Sequence, residues 1–180
     1  MKTKTWNDDR LKAVPGPRRG FSLVEILIVV VILGILAAIA VPKLSNASQV
    51  SRENTLKESL RLLRTQVGVY YTQHADSYPG YPGGDTGQTP TGDTFVHQMT
   101  QCTDSSGNVS ANPSSVYKWG PYIQAMPGNP VNYLGTITII GPGAPMTADG
   151  TTGWLYQPST GSVQPNVTGK DSEGKNFSDY

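Results

Sequence analysis

The longest apolar segment of the chain is an uninterrupted run at residues 26–41, which extends back to Phe21 with one charged side chain, Glu25. As a helix, residues 21–41 would be about 31 Å long, at about 1.5 Å per residue, which matches the hydrocarbon core of a bilayer. An ordinary secretory signal has a shorter apolar core and a small-residue cleavage site after it. Here the small residue precedes the run, so the pattern predicts a membrane-spanning helix.

A second helical pattern follows Pro42, a residue that can end a helix or only kink it. Apolar side chains recur at spacings of four, three, four and three positions, at Leu56, Leu60, Leu63, Val67 and Tyr70. Charged residues occupy the other faces, and Glu53 with Lys57 forms an (i, i+4) pair in the favourable order. The period predicts an amphipathic helix over residues 42–76 that continues the apolar run.

Residues 77–180 differ in composition from everything before them. Glycine and proline are dense over residues 77–92, which predicts a loop. A short helix with Asp93 as its N-cap is expected next, because Phe95, Val96 and Met99 can form one buried face. The sequence DSSGN at residues 104–108 is typical of a turn.

Strand signals appear only in the last third of the chain. Residues 132–140 are rich in β-branched side chains, and residues 153–166 have the pattern of a hairpin. The polar tail, Lys170 to Tyr180, is expected to fray. The fold class is therefore α+β, with one long N-terminal helix packed by its second half on a small antiparallel sheet of about three strands.

Charge is distributed unevenly around the apolar run, although the net charge is only +1. Residues 1–20 carry six basic and two acidic side chains, whereas residues 21–180 carry eight basic and eleven acidic ones. A basic flank before a single apolar span predicts that the flank stays in the cytoplasm and the rest lies across the membrane. No basic patch is interleaved with aromatic residues, so a nucleic-acid partner is not predicted.

Few residues are candidates for chemistry. The single cysteine, Cys102, cannot form an internal disulfide, and only His74 and His97 could serve a thiol as a base. A phosphate-binding glycine loop, paired metal-binding cysteines and a nucleophile elbow are all missing from the sequence, so we do not expect an enzyme. Asp104 and Asp149 are weak calcium candidates that lack the spacing of an EF-hand loop, and solvated turns are the favoured interpretation.

The segment RRGFSLVEILIVVVILGILAAIAVPKL, residues 18–44, resembles the N-termini of type IV pilins and type II secretion pseudopilins. The residues that match the family pattern are Gly20, Phe21, Ser22, Leu23, Glu25 and Pro42. The resemblance implies that residues 1–20 are a leader, longer than many. It also implies that a prepilin peptidase cleaves between Gly20 and Phe21 and that the new amine of Phe21 becomes methylated.

Glu25 has a physical role under this resemblance. A charged group in hydrocarbon is costly, and an opposite charge removes most of that cost. Cleavage would create an amine at Phe21, one helical turn from Glu25, and the amine of a neighbouring subunit could meet Glu25 in a filament. Glu25 would then set the register between subunits; the alternative is an interfacial glutamate without a role.

Gly34 and Pro42 weaken the helix between them, through backbone entropy and a lost hydrogen bond. The family resemblance implies that this part can stretch or unwind in a filament. The alternative is the ordinary tolerance of glycine and proline in membrane helices.

Residues 116–166 carry a second, weaker resemblance, to the C-terminal region of major pseudopilins, where a glycine–proline–aromatic connector precedes a short antiparallel sheet. The two resemblances together imply a structural filament subunit, most simply a major-type pseudopilin of a type II secretion system. The alternative within the family is a type IV pilin for adhesion, motility or DNA uptake. Many such pilins have a pair of cysteines bracketing a C-terminal loop, and this chain has only one cysteine.

A membrane-anchored binding or sensor domain that never polymerises is the third possibility, and a simple anchor needs neither Gly20 nor Glu25. The implied partners are other copies of the chain, minor pseudopilins or pilins, the prepilin peptidase and an inner-membrane assembly platform. The implied location is the bacterial inner membrane as a single-pass protein, with the N-terminus cytoplasmic before cleavage and residues 77–180 forming a loop-rich periplasmic β domain.

Overall fold

The computed structural model describes residues 20–180, so the predicted leader lies outside the described residues except for Gly20. The chain divides into two compact units, the first ending at Lys43 and the second comprising Leu44–Tyr180. The helices and strands are α1 (Leu23–Gln73), a 3-10 turn (Pro82–Gly84), α2 (Gly92–Thr100), β1 (Cys102–Thr103), β2 (Val109–Ser110), β3 (Ile137–Ile139), β4 (Trp154–Gln157), β5 (Ser162–Pro165) and a second 3-10 turn (Phe177–Asp179).

Helix α1 contains both predicted helical patterns in one element of 51 residues. The helix continues through Pro42, so this residue does not end it. Within the part of the chain that the structure describes, α1 is the one helix long and apolar enough to cross a membrane. The prediction of a long N-terminal helix is therefore confirmed.

The predicted apolar stripe of α1 forms the centre of the core of the second unit. All five of its side chains are at most 2% exposed: Leu56, Leu60, Leu63, Val67 and Tyr70. They belong to one cluster with α2 and the sheet, which contribute Phe95, Met99, Trp154, Tyr156 and Val163. Burial of each such side chain stabilises the fold by about 1.5–3 kcal/mol. This stripe therefore holds α2 and the sheet against the second half of α1.

Helix α2 begins earlier than expected, and its N-cap is Thr91 and not Asp93. The Oγ1 atom of Thr91 accepts a hydrogen bond from the backbone N–H of Thr94 at 3.1 Å. Asp93 instead lies in the first turn, where a carboxylate is favourable because of the helix dipole. Both residue types can cap a helix, and the backbone at Thr91 has the extended conformation that an N-cap requires.

The predicted loop at residues 77–92 is fastened to α2 by Gln98, a fully buried polar residue. Its side-chain oxygen accepts from Gly80 N–H at 2.7 Å, and its amide nitrogen donates to Tyr81 O at 2.9 Å and Gly107 O at 2.8 Å. One side chain therefore joins this loop to the predicted turn at residues 104–108, which connects β1 and β2 as a hairpin.

The larger sheet has three strands in the order β3-β4-β5, as many as predicted. Strands β4 and β5 form the predicted antiparallel hairpin, but β3 pairs with β4 in parallel, so the expectation of an antiparallel sheet is wrong at that pairing. The segment between Ile139 and Trp154 is 14 residues long, enough for the crossover that parallel strands need. The small sheet of β1 and β2 was not predicted, because two-residue strands have no detectable period.

The prediction of a frayed tail is wrong. Phe177 is buried in the core, and the second 3-10 turn begins there. Arg64 of α1 donates to Val163 O at 2.8 Å and to Tyr180 O at 2.6 Å, and the Tyr180 hydroxyl donates to Asp171. The tail is polar in composition, but its polar groups find partners on α1 and within the tail.

Glu53 does not form the expected ion pair with Lys57. Its carboxylate accepts hydrogen bonds from the backbone N–H and hydroxyl of Ser172 and from the Gln49 amide. Lys57 instead places its Nζ over the Tyr180 ring, 5.0 Å from the centroid. Burial opposes ionisation of Glu53, yet the hydrogen bonds from Ser172 and Gln49 outweigh it and lower the pKa of this carboxyl.

Candidate functional site

The start of α1 is a capping box, S-x-x-E, formed by Ser22 and Glu25. The Ser22 hydroxyl accepts from Val24 N–H at 3.3 Å, and the Glu25 carboxylate accepts from Ser22 N–H at 3.4 Å. Two N–H groups that have no partner inside the helix are thereby satisfied. The letters SLVE carry this capping signal in the sequence, although the family resemblance suggested Glu25 only as a partner for an amine.

Gly20 precedes the cap and has no packing role within the described residues. A Cβ atom added there would meet nothing within 4 Å, and its backbone φ lies outside the left-handed region that favours glycine. Neither sterics nor backbone conformation requires glycine at this position.

The apolar segment that begins at Phe21 is exposed around the whole helix. Every residue from Phe21 to Val41 is exposed in the folded chain. Leu23 is 84% exposed and Leu33 58%. An apolar surface of this length is far larger than the patches that monomeric soluble proteins leave in water. The segment therefore requires lipid or other apolar helices around it.

Gly34 lies in the middle of this exposed segment. A Cβ atom at Gly34 would also meet nothing within 4 Å, so packing within the chain does not require glycine there. Helix α1 continues through both Gly34 and Pro42 in this single chain. The predicted weakness of the helix between these residues stays a prediction.

The two calcium candidates lie in separate turns, and local donors occupy their carboxylates. Asp104 accepts from the N–H groups of Ser106 and Asn108 at 2.9 and 3.0 Å. Burial opposes ionisation of Asp104, but these bonds and a hydrogen bond from the Asn108 side chain outweigh it. The net effect is a lowered pKa of the Asp104 carboxyl. Among the described residues, no three His, Cys, Asp or Glu side chains lie close enough to hold a metal ion.

Asp149 is held in the same way. The Thr151 N–H donates to its carboxylate at 2.9 Å, and the Asn166 side-chain amide donates at 2.7 Å. The hydrogen bond from Thr151 is the main cause of the lowered pKa of Asp149, followed by that from Asn166. Both carboxylates therefore act as turn anchors, and calcium stays an untested hypothesis for them.

Cys102 is buried, and His74 is engaged elsewhere. The two ring nitrogens of His74 lie 2.8 Å from Tyr70 O and 3.0 Å from the Thr103 hydroxyl. Its ring stacks on that of Tyr70, with centroids 3.8 Å apart. His97 is exposed on α2. The arrangement at His74 serves packing, and it has no geometry for activation of a thiol.

The start of α1 thus combines a capped helix N-terminus with an exposed apolar segment that is long enough to cross a membrane. Residues 16–41 match the family model described as the prokaryotic N-terminal methylation motif. The match includes Gly20, Phe21, Glu25 and Gly34 and ends one residue before Pro42.

Two curated relatives are similar to the chain over 55 residues, or 31% of its length. The type IV major pilin protein PilA of Myxococcus xanthus is 40% identical over this part, which is 25% of PilA. The competence protein ComGC of Halalkalibacterium halodurans is 36% identical, over 54% of ComGC. The chain thus spans a quarter and about half of these relatives. No solved structure matches the chain.

The chain is therefore similar to the type IV pilin-like family, over residues 16–41 for the family model and over 31% of the chain for each relative, and the resemblance expected from its N-terminal residues is confirmed. The prediction of a structural subunit and not an enzyme agrees with them, since one relative is a major pilin by name. The match to the family model ends within α1, so it covers no part of the second unit.

Proposed function

We propose that the chain is the subunit of a pilus-like filament, and that a prepilin peptidase releases its mature form by cleavage between Gly20 and Phe21. The observation that carries the proposal is the exposed apolar face from Phe21 to Val41, which follows directly on a methylation motif. Lipid can cover that face before assembly, and the same face of neighbouring copies can cover it afterwards.

Glu25 is proposed to change partners during this process. In the uncleaved chain its carboxylate accepts from the Ser22 N–H, so it has a weak partner of its own. Cleavage converts the nitrogen of Phe21 into an amine, a stronger partner that carries a positive charge. The amine of a neighbouring copy could then bind Glu25 and set the register between subunits, while Gly34 and Pro42 let the helix adapt.

The proposed location is the bacterial inner membrane, crossed once by residues 21–41, with residues 42–180 in the periplasm. The basic flank at residues 1–20 supports this orientation. Before cleavage the N-terminus would be cytoplasmic, on the side where the peptidase and an assembly platform would engage it.

The finer assignment that we favour is a major-type pseudopilin of a type II secretion system, assembled with minor pseudopilins. Its support is the resemblance of residues 116–166 and the single cysteine. The second candidate is a type IV pilin for adhesion, motility or DNA uptake. The names of the two relatives, a major pilin and a competence protein, favour that second candidate.

Processing is tested by mass spectrometry of the mature N-terminus in the native host. We expect a chain that begins with N-methylated Phe21, and a Gly20→Ala variant that remains uncleaved. Gly16→Ala is the matched control, because it removes a leader glycine away from the junction, and it should be cleaved normally. A wild-type chain that still begins at Met1 would contradict the proposal.

The two finer assignments are separated by deletion of the gene. Loss of secreted proteins from the medium, with normal surface filaments, supports the pseudopilin. Loss of surface filaments, motility or DNA uptake, with normal secretion, supports the pilin. The processing experiment is independent of this outcome.

A further inference from the structure

Tyr133 is an exposed aromatic residue with an unusual backbone conformation. Its φ is +62°, in the left-handed region, and its side chain is 70% exposed. A bulky residue in this region is strained, whereas glycine or asparagine is not. Burial in this copy of the chain does not offset the strain, because the ring lies in solvent. Strain of this kind persists at sites where the side chain has a use.

The loop around Tyr133 is held rigidly by buried amides. The Tyr133 N–H donates to Asn129 O at 2.7 Å, and the fully buried Asn129 side chain donates to Gly153 O at 2.8 Å. The Asn132 side chain donates to Thr152 O at 2.8 Å. These bonds to the residues before β4 leave the loop little freedom, so the ring is presented from a fixed base.

Two cationic side chains, Arg52 and Lys170, line a cavity next to the ring. We define the Tyr133 patch as Tyr133, Leu134, Val131, Arg52 and Lys170. The Arg52 guanidinium carbon lies 5.8 Å from the centroid of the Tyr133 ring. Arg52, Lys170 and Val131 also line a cavity of about 360 Å³ that reaches Glu53, whose carboxylate already accepts three hydrogen bonds. Exposed tyrosine with arginine is the composition of interface hot spots.

The opposite end of the second unit is acidic. From Arg52 to the end of α1 at Gln73 the helix rises about 32 Å, at about 1.5 Å per residue. Near that end lie Asp76, three residues after Gln73, and Asp104, whose charge acts on His74, while Asp85 follows Gly84 in the neighbouring loop. Lys118 is a nearby cation, over the ring of Trp119. We call Asp76, Asp85 and Asp104 the acidic end. The Ser77 hydroxyl donates to Gly84 O at 3.2 Å, which ties the loop of Asp85 to the end of α1.

The geometry points to a contact between two copies of this chain, in which the Tyr133 patch of one copy binds the acidic end of the next. The partner must be anionic to match Arg52 and Lys170, and the chain itself carries such a surface. Because the two surfaces differ, the contact is heterologous, and because they lie at opposite ends of the unit we expect copies to add head to tail without closing into a ring, which gives a filament. The inference rests on the proposed function and assigns the surfaces that join its globular parts.

Cysteine cross-linking of the full-length chain in its native membrane tests the pairing. In a Cys102→Ser background, cysteines are placed beside the contact residues: Leu134→Cys combined with Thr86→Cys should give an open ladder of covalent multimers on a non-reducing gel. Each single cysteine should give monomers, and the two single variants expressed together should stop at dimers. A dimer from Leu134→Cys alone would indicate a symmetric contact and would overturn the inference.

Charge reversal tests the same contact without a cross-linker. One variant carries Arg52→Glu and Lys170→Glu, and the other carries Asp76→Lys and Asp85→Lys. In each variant alone, the patch and the acidic end have the same charge sign, so neighbouring copies repel. We expect about a tenfold loss of filament yield, which corresponds to about 1.4 kcal/mol of contact free energy. Expressed together they should form filaments again, because every patch then meets an end of opposite charge. Normal filaments from either variant alone would contradict the pairing.

Tyr133 itself separates assembly from folding. Tyr133→Gly removes the strain and should raise the unfolding temperature of the second unit, yet lower the filament yield; Tyr133→Phe should preserve the yield. A purely structural tyrosine would leave assembly intact in Tyr133→Gly. Filaments of the double-cysteine variant that never cross-link overturn this inference alone, whereas a wild-type chain that forms no filaments overturns the proposed function as well.

Discussion

The two halves of α1 are one continuous helix in two different environments. In the first unit Leu33 is 58% exposed, and in the second unit Leu63 is 0% exposed. The first half is apolar on every face, whereas the second is apolar on one stripe that the rest of its unit covers. The apolar side chains of the first half need lipid or other molecules to cover them, whereas those of the second half are covered by the chain itself.

The largest expected effect comes from substitution of matched leucines in the two halves. Leu63→Ala should destabilise the second unit by about 2–5 kcal/mol, because it leaves a cavity in the core. Leu33→Ala should leave that stability unchanged and act only on anchoring or assembly. Thermal unfolding of the full chain in detergent, followed by the near-UV signal of its aromatic residues, measures both. Equal losses would remove the contrast.

The two glutamates of α1 make a second matched pair. Glu53→Ala removes the acceptor for the Ser172 N–H and hydroxyl and should cost about 1–3 kcal/mol of unfolding free energy. Glu53→Gln keeps one acceptor oxygen and should cost less. Glu25→Ala should leave unfolding of the second unit unchanged, with insertion and cleavage intact, but should lower filament yield. A normal yield from Glu25→Ala would refute its register role.

The cap of α2 gives a smaller effect in the second unit. Thr91→Ala should cost about 1 kcal/mol, because the Thr94 N–H loses its acceptor. Asp93→Ala removes only a favourable charge in the first turn and should cost about 0.3–1 kcal/mol at most. Denaturant unfolding of both variants ranks them. A larger loss from Asp93→Ala would restore Asp93 as the N-cap.

Tyr70 tests whether the buried half of α1 is fully optimised. Its hydroxyl is buried and has no hydrogen-bond partner among the described residues, and burial raises its pKa. Tyr70→Phe should therefore be neutral or should stabilise the second unit by up to about 1 kcal/mol. Destabilisation of that size would show that the hydroxyl has a partner in solution. Chemical denaturation of the variant beside wild type provides the measurement.

The smallest expected effect depends on pH and concerns His74. Burial lowers the pKa of His74 below the ordinary 6.5, although the hydrogen bond to Tyr70 O and the charge of Asp104 oppose this. The unfolded chain therefore binds more protons below pH 6.5, and stability falls as the pH drops from there through the folded pKa. Tyr122 also faces the ring but stays neutral, since burial raises its pKa.

The slope of unfolding free energy against pH between 7 and 5 checks this sign, and His74→Asn should remove it. The lowered pKa values of Glu53, Asp104 and Asp171 contribute at more acidic pH, below their ordinary values of 3.8 to 4.5. The two windows are therefore separable in one titration. A stability that rises from pH 6.5 to 5 would contradict the assignment to His74.

The sequence was most informative where a period or a motif is local. The stripe of Leu56, Leu60 and Leu63 predicted the buried face of α1, since helical period alone decides which side chains share a face. The hairpin of β4 and β5 followed from two short runs and a turn. The methylation motif needed no fold at all, because its residues adjoin one another in the chain.

Errors arose where distant segments decide the outcome. The tail after Lys170 looked unstructured because its partners, Glu53 and Arg64, lie more than a hundred residues earlier. The direction of β3 depended on a 14-residue connection, and no local pattern specifies whether such a segment crosses the sheet. The left-handed conformation of Tyr133 had no signal, because the residue type argues against it.

The sequence by itself determined that this chain has an N-terminal apolar helix with a processing motif, an α+β organisation and a helix stripe for its core. Contiguous residues encode each of these, through hydrophobic period, length and motif. Only the tertiary structure decided that the tail closes on α1, that the three-stranded sheet is mixed, and that Tyr133 and Arg52 share a surface. Those features depend on contacts between residues far apart in the chain, whose free energies exist only once the second unit has folded.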